Sequence, residues 1–157
     1  VQNMPVIANT SKNKAKFAYD WFKSRGLSDH HAAGIVANLI TESDNFADDV
    51  IDFRRKGDDN TAYGIAQWRG SRFEDLKRFS GQNKLNPAEL ETQLLFLEQE
   101  AKQRGNWEGL LKTKDLKEAT HYFNYNYEVS ADSRNPKTRY MRVKNVLDEK
   151  GNIKFNS

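Results

Sequence analysis

Glu42 is the residue whose type and position most readily do chemistry in this chain. Ile35 and Leu39 precede it by seven and three positions, so on a helix the three share one face and Glu42 prolongs a buried stripe. Two effects disfavour an ionised carboxyl there: partial burial removes solvent, and a helix C-terminus carries the negative end of the macrodipole. A carboxyl that stays protonated near neutral pH suits the general acid of a glycosidase, because the departing sugar oxygen must receive a proton as its bond breaks. The plainer alternative is a fraying helix end that leaves Glu42 in water.

Two further segments carry suitable groups. In Ala62-Tyr63-Gly64-Ile65-Ala66-Gln67-Trp68, Gly64 allows close backbone approach to a ligand. Tyr63 and Trp68 offer flat surfaces for stacking on sugar rings, and Gln67 offers both a donor and an acceptor for hydroxyl or acetamido groups. The competing interpretation is a buried strand with core aromatics. In Tyr122-Phe123-Asn124-Tyr125-Asn126-Tyr127-Glu128, Tyr127 and its neighbours could wall a groove or continue a helix's core face. Glu128 is a second candidate carboxylate or a surface charge.

The absences are informative. There is no cysteine, which excludes disulfides, thiolate–zinc sites and cysteine nucleophiles. His30, His31 and His121 have no metal-ligand spacing, so no metal and no cofactor is expected, and no phosphate-binding glycine loop is present. Chemistry must come from carboxylates, hydroxyls and amides. The net charge of +3 favours polyanions of any kind, cell wall or nucleic acid alike. The basic residues are mixed with acids and form no recognition helix, so specific nucleic-acid binding is not expected. No run approaches the roughly 20 apolar residues that span a bilayer.

These groups must be positioned by helices. Residues 1–10 lack periodicity and read as a tail or linker, with a single domain over 11–157. Phe17, Ala18, Trp21 and Phe22 recur at helix spacing before Gly26. A second helix begins near Ser28 and buries Ala32, Ile35, Val36, Leu39 and Ile40. Residues 44–70 lose the helical period and read as a long loop or small β-hairpin. Ser71 with Glu74 suggests a capping box, and Gly81 the end of a short helix. Asn86-Pro87 with Glu89 opens a longer helix closed by Gly105. Leu116, Ala119 and Phe123 suggest another, and Asn135-Pro136 starts a last one through Tyr140, Val143 and Leu147. The fold class is mainly α, with one irregular segment between core helices, a common place for function.

The run from Ala33 to Ser43, ending Ile40-Thr41-Glu42-Ser43, followed after a Gly-Asp turn by the run from Thr61 to Arg72, resembles the phage-tail lysozyme family. More distantly it is similar to goose-type lysozymes and soluble lytic transglycosylases. In those relatives a helix ends in Glu-Ser, and a Gly-Ile/Leu-x-Gln motif follows across a short β region. Phe123 to Glu128 with Arg139 further on resembles the family's C-terminal aromatic–Tyr-Glu element. Two departures stand out: the turn Gly57-Asp58-Asp59-Asn60 holds less glycine than expected, and Glu128 is followed by Val129-Ser130 rather than proline.

The resemblance implies an α+β lysozyme-like fold, a helical lobe and a small β-hairpin region flanking a substrate groove. It implies that Glu42 is the catalytic acid and that Tyr63, Gln67 and Trp68 line the cleft. The expected reaction is cleavage of the β-1,4 bond between N-acetylmuramic acid and N-acetylglucosamine in bacterial peptidoglycan. A second carboxylate such as Asp58 or Glu128, about 6.5–9.5 Å across the groove, would activate water and invert the anomeric centre. Asp44, Asp48, Asp49, Asp52 and Asp59 are further candidates. Without such a group, the sugar's 6-hydroxyl would attack and leave an anhydro product, as lytic transglycosylases do. A non-catalytic wall-docking module is the remaining alternative. The implied setting is a phage tail or the bacterial cell envelope, with other tail proteins as partners.

Overall fold

The structure, a computed structural model, describes residues 11–57, 61–128 and 153. Seven α-helices and one two-stranded antiparallel sheet lie among the described residues, as the mainly α reading expects. The tail at 1–10, Asp58 to Asn60, Arg139 and the helix expected after Asn135-Pro136 fall outside them.

Helix α2 (Asp29–Glu42) is the axis of the fold. Every residue from His31 to Ile40 is buried, which requires partners on more than one face. Helix α1 (Ser11–Ser24) packs on it and buries Ala15, Ala18 and Phe22 in the core, and Gly26 turns the chain at φ +99°. Helix α7 (Leu116–Phe123) packs more closely still. A Cβ on Gly34 would lie 2.8 Å from the Ala119 Cβ and 3.0 Å from its carbonyl carbon, so only glycine lets these backbones approach. The Asn38 amide crosses the same seam, donating to Gly34 O at 2.9 Å and Thr120 O at 3.0 Å.

After α2, a single helical turn, α3 (Asp48–Ile51), occupies part of the stretch expected to be loop. It is too short to register as periodicity. Strands β1 (Ala62–Tyr63) and β2 (Trp68–Arg69) follow, with Ala62 opposite Arg69 and Tyr63 opposite Trp68. Helix α4 (Ser71–Gln82) is capped by Gly70 at φ +52°, with no side-chain cap hydrogen bond. Ser71 is therefore its first helical residue, and the capping box expected there is not formed. Gly81 lies inside α4, and the left-handed turn after the helix falls on Lys84.

Helix α5 (Leu90–Gln103) begins three residues after Pro87, because the Asn86 side chain first holds an Asx turn to the Ala88 N–H. Gly105, at φ +78°, ends α5 and directly starts α6 (Asn106–Leu111), which the sequence pattern did not reveal. The capping pattern does form at α7. Asp115 accepts from Glu118 N at 2.8 Å, while the Glu118 carboxylate accepts from Lys114 N at 2.9 Å. A π-helical turn, Asn124–Glu128, extends α7 back toward the hairpin. Among the described residues no helix is long and apolar enough to cross a membrane.

Candidate active site

Glu42 is the last residue of α2 and is half-buried. The chain leaves it through three consecutive left-handed residues, Asp44 (φ +53°), Asn45 (+59°) and Phe46 (+58°). Aspartate and asparagine tolerate this conformation, but a phenylalanine in it is strained. Burial and hydrogen bonds offset the strain. The Phe46 ring is fully enclosed, and its N–H donates to Ser43 Oγ at 2.8 Å. Ser43 Oγ in turn donates to Leu39 O at 2.6 Å, and Asn45 N to Ile40 O at 2.8 Å. From α1, the buried Lys14 ammonium reaches Phe46 O at 3.5 Å and pairs with Asp48. Burial pulls the Lys14 pKa below its ordinary value, against the opposing charge of Asp52. The turn that directly follows Glu42 is thus fixed from two sides, by α2 itself and by α1.

Arg55 links this turn to the segment that enters the hairpin. Its guanidinium pairs with Asp44 at 3.0 Å and Asp49 at 2.9 Å. Two residues later, Gly57 forms a β-bridge with Ala62, and any side chain on Gly57 would strike the Gln67 amide oxygen. Gln67 itself is left-handed at φ +56°. Its main-chain N–H and its side-chain Nε2 both donate to Gly64 O, at 3.1 and 2.9 Å. Gly64, at φ +78°, is sandwiched: a Cβ there would lie 3.0 Å from the Gln93 amide oxygen and 3.0 Å from the Trp68 ring. The glycine is needed for both its dihedral and its lack of bulk.

The aromatic residues divide in two. Tyr63 is half-buried at the hairpin, with one face stacked on Phe73 (centroids 3.9 Å, planes 7° apart) and Phe53 edge-on at 6.1 Å. Trp68 and Tyr127, in contrast, are both 0% exposed, so neither presents a face to a ligand in this structure. The Trp68 indole N–H is shared between Glu100 Oε1 at 3.1 Å and the Tyr127 hydroxyl at 3.0 Å. The groove-lining expectation for these two therefore meets a physical obstacle: Trp68, itself on β2, turns its ring inward onto Glu100 and Tyr127, and together they form the floor of the hairpin.

That floor is ionic. Arg72 grips Glu100 through Nε and Nη2, at 2.9 and 2.7 Å, and lies over the Tyr127 ring at 4.8 Å. Burial works against the Glu100 carboxylate, but the hydrogen bonds and charge of Arg72 outweigh it and hold Glu100 below its ordinary pKa. Burial, with Glu100 alongside, pushes the Tyr127 phenol well up, so it remains a donor. Glu128, the last residue of the π-helical turn, is buried at 8% exposed. Asp58 lies outside the described residues.

Sequence reasoning passed over Gln93 and Glu100. Both fall on the apolar stripe of α5, Gln93 three positions after Leu90 and Glu100 three after Leu97. A polar residue on a buried stripe is the signal that could have found them. Among the described residues no group of three or more acidic or histidine side chains is placed to hold a metal ion. A cavity of about 440 Å³ borders α3 and the start of α5, lined by Lys14, Asp52, Arg54 and Glu89 among others, but by neither Glu42 nor Gln67.

Compared with known proteins, residues 13–149 match the model of the phage tail lysozyme family. No curated protein matches the chain.

Proposed function

This chain belongs to the phage tail lysozyme family, a lysozyme-like, peptidoglycan-acting class, and from that premise we propose that it cleaves the β-1,4 bond between N-acetylmuramic acid and N-acetylglucosamine with Glu42 as general acid. The observation that carries the reading is the fixed, half-buried end of α2, where Glu42 is held ahead of a strained turn. Such strain at a helix end suits a site that must hold one side chain in place. Glu42 protonates the bridging oxygen as oxocarbenium character develops on the muramic acid ring. Tyr63 and Gln67 contact the glycan from the hairpin, while Trp68 and Tyr127 support them from below. The second carboxylate falls to Asp58, to Glu128 or to another aspartate of the 44–59 segment. The setting is a phage tail, where local opening of the wall precedes DNA delivery.

Mass spectrometry of purified peptidoglycan after incubation with wild type and with Glu42→Gln tests this. Reducing muropeptides from wild type alone are the expected result. Anhydro-muropeptides from wild type alone would replace hydrolysis by transglycosylation and make the second carboxylate unnecessary. Wall binding with no release of either product would overturn the enzymatic reading in favour of a docking module.

A further inference from the structure

Gln93 is fully buried on α5 and uses its whole side-chain amide. Its Oε1 accepts from Ile65 N at 2.9 Å, and its Nε2 donates to Ile51 O at 2.9 Å and Pro87 O at 2.8 Å. One amide therefore joins three segments that share no ladder: the end of α3, the hairpin turn and the approach to α5. Glutamine is suited to this, since it alone offers an acceptor and two donors on an uncharged stem of this length.

The Ile65 N–H belongs to the same peptide group as Gly64 C=O. The chain has no cis peptide among its described residues, so the two point to opposite sides. Gln93 holds the N–H edge from the interior. Gln67 holds the C=O edge, through both its main-chain N–H and its Nε2. Rotation of that one peptide plane would withdraw the oxygen that orients the Gln67 side chain. Crowding of Gly64 between Gln93 and Trp68 leaves the turn little room to adjust.

We infer that Gln93 is a positioning residue for the glycan cleft, acting through the Gly64–Ile65 peptide to set the Gln67 side-chain amide. It touches no substrate itself. This rests on the proposed role of Gln67 in the cleft, and it predicts a dependence that a merely structural glutamine would not show.

The experiment compares wild type, Gln93→Met, Gln67→Ala and the double variant by kcat and KM on soluble glycan strands, well below each melting temperature. Leu110→Ala, a buried change in α6, serves as the destabilised control. Gln93→Met is expected to lower kcat/KM by about ten- to a hundredfold, the scale of a small misplacement of a reacting group. The double variant should be no worse than Gln67→Ala alone, and Leu110→Ala should keep the wild-type value. Losses that multiply in the double variant, or an equal loss in Leu110→Ala, overturn the inference. Amide exchange gives a readout independent of activity. The Ile65 N–H and the Gln67 Nε2 protons should exchange slowly in wild type, and Gln67 should lose that protection in Gln93→Met. Retained Gln67 protection in the variant overturns the inference, as does free exchange of Ile65 in wild type should the variant not fold. Wild type that releases no muropeptides while the exchange result holds would instead count against the functional reading alone.

Discussion

The seam between α2 and α7 and the floor under the hairpin are both buried, yet they are held by opposite means. The seam is a close contact of small residues, Gly34 against Ala119, with one amide clasp from Asn38. The floor is built from Arg72, Glu100, Trp68, Tyr127 and Gln93, each aligned by directional hydrogen bonds. Apolar packing is non-directional and secures the helical lobe. A short hairpin has too little area to be secured that way and is placed instead by polar groups that accept only one geometry. The difference teaches that the part of the molecule needing angular precision is the part with buried polar chemistry beneath it.

The largest effect separates acting from supporting. Glu42→Gln should lower muropeptide release by about 10²–10⁴-fold, the usual worth of a general acid, while the thermal midpoint measured by calorimetry stays close to wild type. A large fall in stability instead would place Glu42 with the supports.

Glu100→Gln tests the floor directly. It leaves the half-buried Arg72 without its carboxylate, which costs on the order of 3 kcal/mol and should lower the midpoint by roughly 10 °C. The same pair sets an acid limit. Because Arg72 holds Glu100 below its ordinary value of 4.5, the stabilisation is fully present above that pH and is lost as the pH falls through the lower folded-state value. Denaturant titrations over this range should show a shallower acid dependence in Glu100→Gln.

The seam should prove sensitive to volume rather than to charge. Gly34→Ala gains up to about 1 kcal/mol of helix propensity, but crowding against Ala119 costs about 1–3 kcal/mol. A net loss near 1 kcal/mol is expected in urea unfolding, with unchanged activity of the folded protein. A stabilised variant would break the picture of a seam closed to its limit.

The smallest effect lies at the other end of α2. His31 bonds Thr113 O at 3.0 Å and Ser28 Oγ at 2.8 Å, and burial, reinforced by neighbouring His30, lowers its pKa from 6.5. Its contribution is therefore present above pH 6.5 and declines as the pH falls through the lower folded value. His31→Gln should flatten stability in that window by less than about 1 kcal/mol.

Local pattern alone determined five of the seven helices among the described residues and placed Glu42 at the C-terminal end of α2. The 3.6-residue stripe through Ile35, Leu39 and Glu42, the stop at Gly26 and the motif around Gly64 and Gln67 each depend on residues close in the chain. It misplaced the start of α4 and did not reveal α3 or α6, because helices of under two turns carry too little periodicity and Gly70 does the work expected of Ser71. Tertiary structure decided which aromatics face outward. Trp68 and Tyr63 sit five residues apart in one motif, but Glu100 and Tyr127 draw the indole inward while Phe73 takes one face of the tyrosine. It also decided that Gln93 and Glu100 matter, since Ile65 and Ile51 lie 28 and 42 positions from the first, and Arg72 and Trp68 lie 28 and 32 from the second. Periodicity reports which side of a helix is buried. What a buried polar group must bond to is set only when distant segments meet.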